Sequence, residues 1–235
     1  MNFSQDTIDI IRNFNQITQT GMRFPKGTHL TVHDSLTNNN NGLTNVTTVA
    51  IAELQQALEE EFLVYDPVQF FSALATFDSP FVEIEGQEII VRDSESVKYG
   101  SFRFAMASPD IIGSSISPAN FPEDAEDNVQ LHLSADAINQ LFKAVGVVLA
   151  PYIMFKGEGG DLLCRGFDKE NPTADQYNMP IGITDQQFEI PVRVESINKL
   201  MKGVDYDVTL TQRGIVRFVG DYNGNRLSYY FTASV

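Results

Sequence analysis

The residues best suited to chemistry in this sequence are few and do not converge. His29 and His33 are four residues apart and share one face of a predicted strand, but His132 is far along the chain and no third ligand follows nearby. Protein metal sites commonly use three or four side-chain ligands. We therefore expect no metal site and no bound cofactor.

Three other features have structural explanations. Residues 157–160 read Gly-Glu-Gly-Gly without the helix and Lys-Ser/Thr pair of a phosphate-binding loop, so they predict a hairpin turn. Asp161 and Asp168 are two of 31 acidic residues, and no spacing marks them as a catalytic pair. Cys164, the single cysteine, indicates a buried small side chain rather than a disulfide framework. We expect a protein that is not an enzyme.

Charge argues at first against nucleic-acid binding. The 235 residues contain 16 Lys and Arg against 31 Asp and Glu, a net charge of −15. Such a chain opposes a DNA-binding surface unless its basic residues are gathered on one face. The length suits one large or two ordinary domains, and the lack of a signal peptide or membrane-length apolar run predicts an intracellular protein.

One apolar pattern occurs twice. At a constant offset, Phe62 aligns with Phe188 and Leu74 with Leu200, and the match continues without a gap to Phe104 and Tyr230. Few of the aligned residues are identical, so the pattern predicts a repeated fold unit rather than a recent duplication.

A second repeat precedes each copy of the first, at a slightly larger offset. Ser4 and Ser134 are predicted helix N-caps, and Asp6 and Asp136 in the first turns suit the positive end of a helix dipole. The Lys-Gly pairs at 26–27 and 156–157 are predicted turns between strands. The chain therefore reads as four helix-plus-strands units grouped two and two, an α+β fold.

These patterns predict two similar domains, at residues 1–107 and 129–235, joined by a connector at 108–128 that contains three prolines. Helices are predicted near residues 4–18, 67–77, 134–148 and 194–202. Strands are predicted at 28–33, 47–53, 62–65, 81–85, 88–92, 101–107, 129–133, 152–155, 162–167, 188–192, 205–211, 215–220 and 227–232.

The predicted helices each have one apolar stripe and one small or polar face. These polar faces carry few acids although the chain is rich in them. Five basic residues lie on or beside the faces, and they are either a weakly basic surface or ordinary solvated side chains: Arg12, Lys143, Arg193, Lys199 and Lys202.

Four ordered segments resemble the sliding clamps of replicative DNA polymerases, most closely the bacteriophage T4 type. They read FSQDTIDIIRNFNQITQTGMRFPKGTHLTV, FLVYDPVQFFSAL, FPEDAEDNVQLHLSADAINQLFKA and GDLLCRGFDK. No single motif is diagnostic, because clamps have no catalytic signature. The order of the segments and the fourfold repeat make the resemblance specific.

The resemblance implies a ring of six similar domains, built from three copies of this chain, with helices lining a central hole and sheets outside. The five basic residues would face non-specifically encircled duplex DNA. The subunit interface would join one strand near Ser101, Phe102 and Phe104 to another near Tyr177, Met179 and Ile181.

Partners implied by the resemblance are the C-terminal peptide of a DNA polymerase and the clamp-loader ATPase, in the cytoplasm of an infected bacterial host. The connector offers four apolar side chains for partner binding: Ile111, Ile112, Ile116 and Phe121. Two alternatives stay open. An oligomeric virion structural protein could share the acidic, repeated sequence, and a monomeric polymerase accessory subunit could share the fold.

Overall fold

The computed structural model describes residues 1–18, 21–34, 47–95, 100–110, 112 and 128–234. The first half contains α1 (Gln5–Asn15), β1 (Met22–Phe24), β2 (Gly27–His33), β3 (Thr48–Leu58), β4 (Phe62–Val64), α2 (Pro67–Leu74), β5 (Pro80–Glu85), β6 (Glu88–Asp93) and β7 (Ser101–Ala105). The second half contains β8 (Val129–Leu133), α3 (Ala135–Val147), β9 (Tyr152–Glu158), β10 (Gly160–Phe167), β11 (Tyr177–Thr184), β12 (Phe188–Arg193), α4 (Val194–Ile197), β13 (Tyr206–Leu210), β14 (Ile215–Tyr222) and β15 (Asn225–Thr232).

The two halves follow the same order of elements. Each runs helix, four strands, helix and three strands, and β8 has its counterpart in an isolated bridge between Asn2 and Phe81. His132 and Asp207, which align with Asn2 and Phe81 in the two repeats, pair at the equivalent place. The repeat predicted from the apolar pattern is therefore a structural repeat.

The helix starts confirm the predicted caps. The hydroxyl oxygens of Ser4 and Ser134 each accept a hydrogen bond from the backbone N–H three residues on, both at 3.2 Å. A side-chain acceptor at this position satisfies an amide that the helix leaves unpaired. The alignment of Ser4 with Ser134 thus holds for α1 and α3.

The gapless alignment is wrong beyond β5 and β13. Val82 pairs with Val91, whereas its equivalent Val208 pairs with Phe218, so the loop after β13 contains one extra residue. With that insertion, the counterpart of Phe104 is Phe231 rather than Tyr230. A slip of one residue exchanges the two faces of a strand, so this correction decides which side chains face inward.

Two other local predictions are wrong. Lys156 and Gly157 lie inside β9, and the predicted Gly-rich hairpin turn follows them, where Gly159 and Gly160 have positive φ. A Cβ on Gly157 would lie 2.3 Å from the carbonyl oxygen of Gln186, so close backbone approach explains this glycine. The predicted helix at 194–202 is only one turn long, and β1 was not predicted.

Within the described residues, the strands form four antiparallel sheets, ordered β1-β4, β5-β6-β7, β11-β10-β9-β12 and β2-β3-β15-β14-β13-β8. The six-stranded sheet takes strands from both halves. One hydrophobic core extends through both halves, with aromatic clusters around Phe62 in the first and around Phe218 in the second. The domain boundaries at 107 and 129 stay a prediction.

Candidate functional site

The halves are joined by a continuous strand pair. β15 pairs with β3 from Arg226 opposite Glu53 to Phe231 opposite Thr48. The backbone N–H of Gln55 extends the contact by donating to the Asn225 side chain at 2.9 Å. We call this contact the in-chain joint.

A buried hydrogen-bond network reinforces the in-chain joint. The Tyr229 hydroxyl donates to Asn13 Oδ1 at 2.6 Å, and Asn13 Nδ2 donates to the Lys199 carbonyl at 3.0 Å. The Phe14 ring meets Tyr229 edge-on, with centroids 5.8 Å apart. Burial raises the pKa of Tyr229, so its hydroxyl stays protonated and can donate. Helix α1 is thereby fixed to the second half.

Two edge strands, one in each half, are equivalent to the strands of the in-chain joint. β7 is the outer strand of β5-β6-β7, and β11 is the outer strand of β11-β10-β9-β12. By the order of elements, β7 is the counterpart of β15 and β11 is the counterpart of β3. The two strands that pair inside the chain therefore have counterparts that both end a sheet.

The hydrogen bond of Met106, the residue just after β7, shows which backbone N–H groups of β7 point to β6 and which point to the open edge. The Met106 N–H donates to the Gln87 carbonyl of the preceding strand region at 2.8 Å. Backbone groups of an antiparallel pair alternate in direction, so the N–H groups of Phe102 and Phe104 also point to β6. Those of Ser101, Arg103 and Ala105 point to the open edge.

The predicted interface residues lie on these two edge strands. On β7, Ser101 is exposed, Phe102 is 41% exposed and Phe104 is half-buried against the core. On β11, the half-buried side chains pack on the core and alternate with exposed neighbours: Tyr177, Met179 and Ile181. Ile183, next along β11, is 85% exposed.

The five predicted basic residues are mostly exposed. Arg12, Lys143 and Lys202 are exposed, and Lys199 is half-buried. The Arg193 guanidinium lies 3.1 Å from Glu195, so part of its charge is neutralised. Their role in facing DNA stays a prediction.

Two acids on α1 are engaged by the turn between β14 and β15. Asp9 accepts from the Tyr222 hydroxyl at 3.2 Å, and Asp6 accepts from the Asn223 amide at 2.8 Å. Partial burial, and then the nearby Asp9 carboxylate, raise the pKa of Tyr222. The sequence reveals the acids but not these partners, which come from the opposite end of the chain.

Only one predicted partner-binding residue, Ile112, falls within the described residues. Ile112 is 5% exposed and packs with Leu63 and Ala107, so it fastens the start of the connector to the first half. The other three lie outside the described residues: Ile111, Ile116 and Phe121.

A cleft that sequence reasoning missed lies beside Ile112. Its volume is about 270 Å³, and its lining includes Arg23, Lys26, His29 and His33. Arg23 is paired with Glu61 at 2.9 Å. The two histidines thus line a cleft on the outer face of β2. Alternation along β2 predicted the shared face of the two histidines, but not the cleft.

Within the described part of the chain, no group of three or more His, Cys, Asp and Glu side chains could hold a metal ion. Burial raises the pKa of the Cys164 thiol well above its usual range. Over the same residues, no helix is long and apolar enough to cross a membrane.

Comparison with known proteins gives matches over almost the whole chain. No family model matches. The sliding clamp of Vibrio phage KVP40 is 22% identical over 222 residues, which are 94% of this chain and 95% of that protein.

Solved structures share the fold at lower identity. A. fulgidus PCNA, in a structure with the C-terminal region of FEN-1 bound, has a TM-score of 0.65 at 13% identity, covering 97% of this chain and 94% of that one. The DNA polymerase III beta subunit of Borrelia burgdorferi has a TM-score of 0.67 at 12% identity, covering 100% of this chain and 62% of that one.

These matches confirm the resemblance stated from the sequence. The clamp fold accounts for the repeated order of elements, the sheet that spans both halves and the four helices. The chain thus has the sliding-clamp fold, and its sequence is similar over almost its whole length to that of a phage sliding clamp.

Proposed function

We propose that three copies of this chain close head to tail into a ring that encircles duplex DNA and tethers a replicative DNA polymerase for processive synthesis. The observation that carries this proposal is the pair of edge strands β7 and β11. Their counterparts β15 and β3 pair inside the chain. Repeating that contact between copies pairs β7 of each copy with β11 of the next, and closure of three copies leaves neither edge open.

The ring explains how an acidic chain works on DNA. A closed ring holds DNA by topology, so high affinity for phosphates is not needed and would impede sliding. The proposed lining contains a small number of cations: Arg12, Lys143, Arg193, Lys199 and Lys202. Excess acid elsewhere discourages contacts between DNA and the outside of the ring.

Partners are proposed to bind outside the hole. The polymerase is proposed to dock through its C-terminal peptide, and a clamp-loader ATPase to open the ring. A relative supports a peptide mode, since A. fulgidus PCNA binds the C-terminal region of FEN-1. The connector and the cleft beside Ile112 are the proposed docking region. The proposed location of the protein is the cytoplasm of an infected bacterial host.

Native mass spectrometry tests the ring. We expect a species with three times the chain mass of 26.2 kDa. A chain that is monomeric at all concentrations would contradict the ring and favour a monomeric accessory subunit. Trimers that leave primer extension by the cognate polymerase non-processive on circular templates would favour a structural protein instead.

A further inference from the structure

The equivalent helices α1 and α3 differ in the burial of one face. Asn13 and Ile17 of α1 are 8% and 0% exposed. Their counterparts in the second half are Lys143, which is exposed, and Val147, which is 83% exposed. Positions three or four apart share one side of a helix, so these differences mark a single face.

The in-chain joint explains why this face is buried in α1. Phe14 packs against the Tyr229 ring, and Asn13 hydrogen-bonds to both the Tyr229 hydroxyl and the Lys199 carbonyl. The second half of the chain therefore covers this face of α1.

The surface that covers α1, formed by Tyr229 and the Lys199 carbonyl, also has a counterpart in the first half. With the one-residue insertion included, the counterpart of Tyr229 is Phe102, which is 41% exposed where Tyr229 is 0% exposed. In the alignment that matches Leu74 with Leu200, the counterpart of Lys199 is Ala73, in the last turn of α2. The Phe77 ring, three residues beyond the end of α2, has its centroid 5.8 Å from that of Phe102, so the end of α2 lies close to β7.

We propose that α3 of one subunit docks on the partner subunit's Phe102 and on the end of its α2, with Lys143 directed at the carbonyl groups there. This inference rests on the ring proposed above and names a contact in addition to the strand pair. On this placement Lys143 stabilises the joint between subunits, which revises the proposed lining to Arg12, Arg193, Lys199 and Lys202.

The Lys143 ammonium group of one subunit and the surface proposed to receive it on the partner have complementary chemistry. Carbonyl groups at a helix C-terminus carry partial negative charge and favour a nearby cation. An aromatic ring face also attracts an ammonium group. Arg103, which neighbours Phe102, lies 2.8 Å from Glu88 and 3.9 Å from Glu85, so this trio is net negative and does not repel Lys143.

Charge reversal tests the contact. Lys143→Glu places an anion at the carbonyl end of the partner subunit's α2, and should raise the trimer dissociation constant at least about tenfold. Lys202→Glu is the matched control. It makes the same charge change on an exposed residue that follows α4 and does not belong to α3. Sedimentation equilibrium at fixed salt measures both, and circular dichroism checks that each variant folds.

A transplant of the in-chain pair gives a second test. The double variant Lys143→Asn with Phe102→Tyr recreates the Asn13 and Tyr229 pair between subunits. We expect it to keep the trimer within about threefold of the wild-type dissociation constant. Lys143→Leu, with no polar atom on its side chain, should assemble more weakly than the double variant.

Cross-linking locates the contact directly. Ala144→Cys combined with Phe102→Cys should yield covalently closed trimers with a short bismaleimide, because Phe14 and Tyr229 at the equivalent in-chain positions have ring centroids 5.8 Å apart. Asn139→Cys combined with Phe102→Cys should give little product. The native Cys164 is 0% exposed and contributes no background.

The outcomes separate this inference from the ring. The helix contact would be overturned, and the ring left intact, by three results together. The wild-type chain would form trimers, the Ala144→Cys and Phe102→Cys variant would give no covalently closed trimer, and Lys143→Glu and Lys202→Glu would have equal trimer dissociation constants. A wild-type chain that does not trimerise would overturn both.

Discussion

At the scale of single residues, close packing excludes even a small added side chain at some glycines. Gly157 in β9 is the clearest case, because an added Cβ would meet the Gln186 carbonyl oxygen at 2.3 Å and the Phe188 ring at 2.9 Å. We expect Gly157→Ala to lower the free energy of unfolding by about 2 kcal/mol, since overpacking forces neighbouring atoms to move. Urea denaturation at constant protein concentration measures the loss.

The matched control is Gly146 in α3, where an added Cβ meets nothing within 4 Å. Gly146→Ala should raise the free energy of unfolding by about 0.5–1 kcal/mol, because alanine loses less backbone entropy in a helix. Equal losses in the two variants would show that crowding does not explain Gly157.

The buried thiol permits a second residue-scale prediction. Cys164 is 0% exposed, and burial raises its pKa, so the folded chain holds it as a thiol across the neutral and mildly alkaline range. We expect maleimide to leave the native protein unlabelled at pH 8 and to label it fully in urea. Mass spectrometry of the intact chain reads the result, and rapid native labelling would contradict the burial.

At the scale of elements, caps determine where the helices begin. Ser134 accepts the Ala137 N–H at 3.2 Å, so Ser134→Ala should cost about 1 kcal/mol of stability. Ser134→Asp is the control, since a carboxylate can also cap and suits the positive end of the helix dipole. A loss with aspartate as large as that with alanine would indicate that the hydroxyl acts by another contact.

Edge strand β7 gives a prediction for the ring. The Ala105 N–H points to the open edge, whereas the Phe104 N–H points to β6. Ala105→Pro should therefore remove one donor from the joint and weaken the trimer, while the fold of the single chain is retained.

Phe104→Pro is the contrasting variant, because it removes a donor from the β6-β7 ladder and should lower the stability of the chain itself. Native mass and thermal melting measured together distinguish the two effects. Unchanged trimer mass in Ala105→Pro at all concentrations would place the joint elsewhere.

At the scale of the whole molecule, a weakly basic lining predicts that processive synthesis declines as the positive charge of the lining is reduced. We expect Lys199→Glu with Lys202→Glu to shorten the products of processive primer extension and to leave trimer mass unchanged, because both side chains are outside the proposed joints. Arg213→Glu is a suitable control, since it reverses charge in the same direction on an exposed residue in the turn between β13 and β14. Undiminished product length would remove Lys199 and Lys202 from the lining.

The amino-acid sequence by itself determined the repeat and most of its elements. Apolar periodicity and serine caps depend on neighbouring residues, so α1, α3 and most strands could be predicted within a few residues. The resemblance to sliding clamps was likewise visible in four ordered segments, and the comparisons confirm it.

Two features could be known only from the tertiary structure. They are the alignment of the two halves after β13 and the pairing of β3 with β15. An extra residue in one loop leaves the apolar pattern nearly unchanged, yet it exchanges strand faces and makes Phe102, not Arg103, the counterpart of Tyr229. Pairing of β3 with β15 joins the first quarter of the chain to its last strand. Contacts at such separations depend on the packing of the whole chain, which local patterns do not encode.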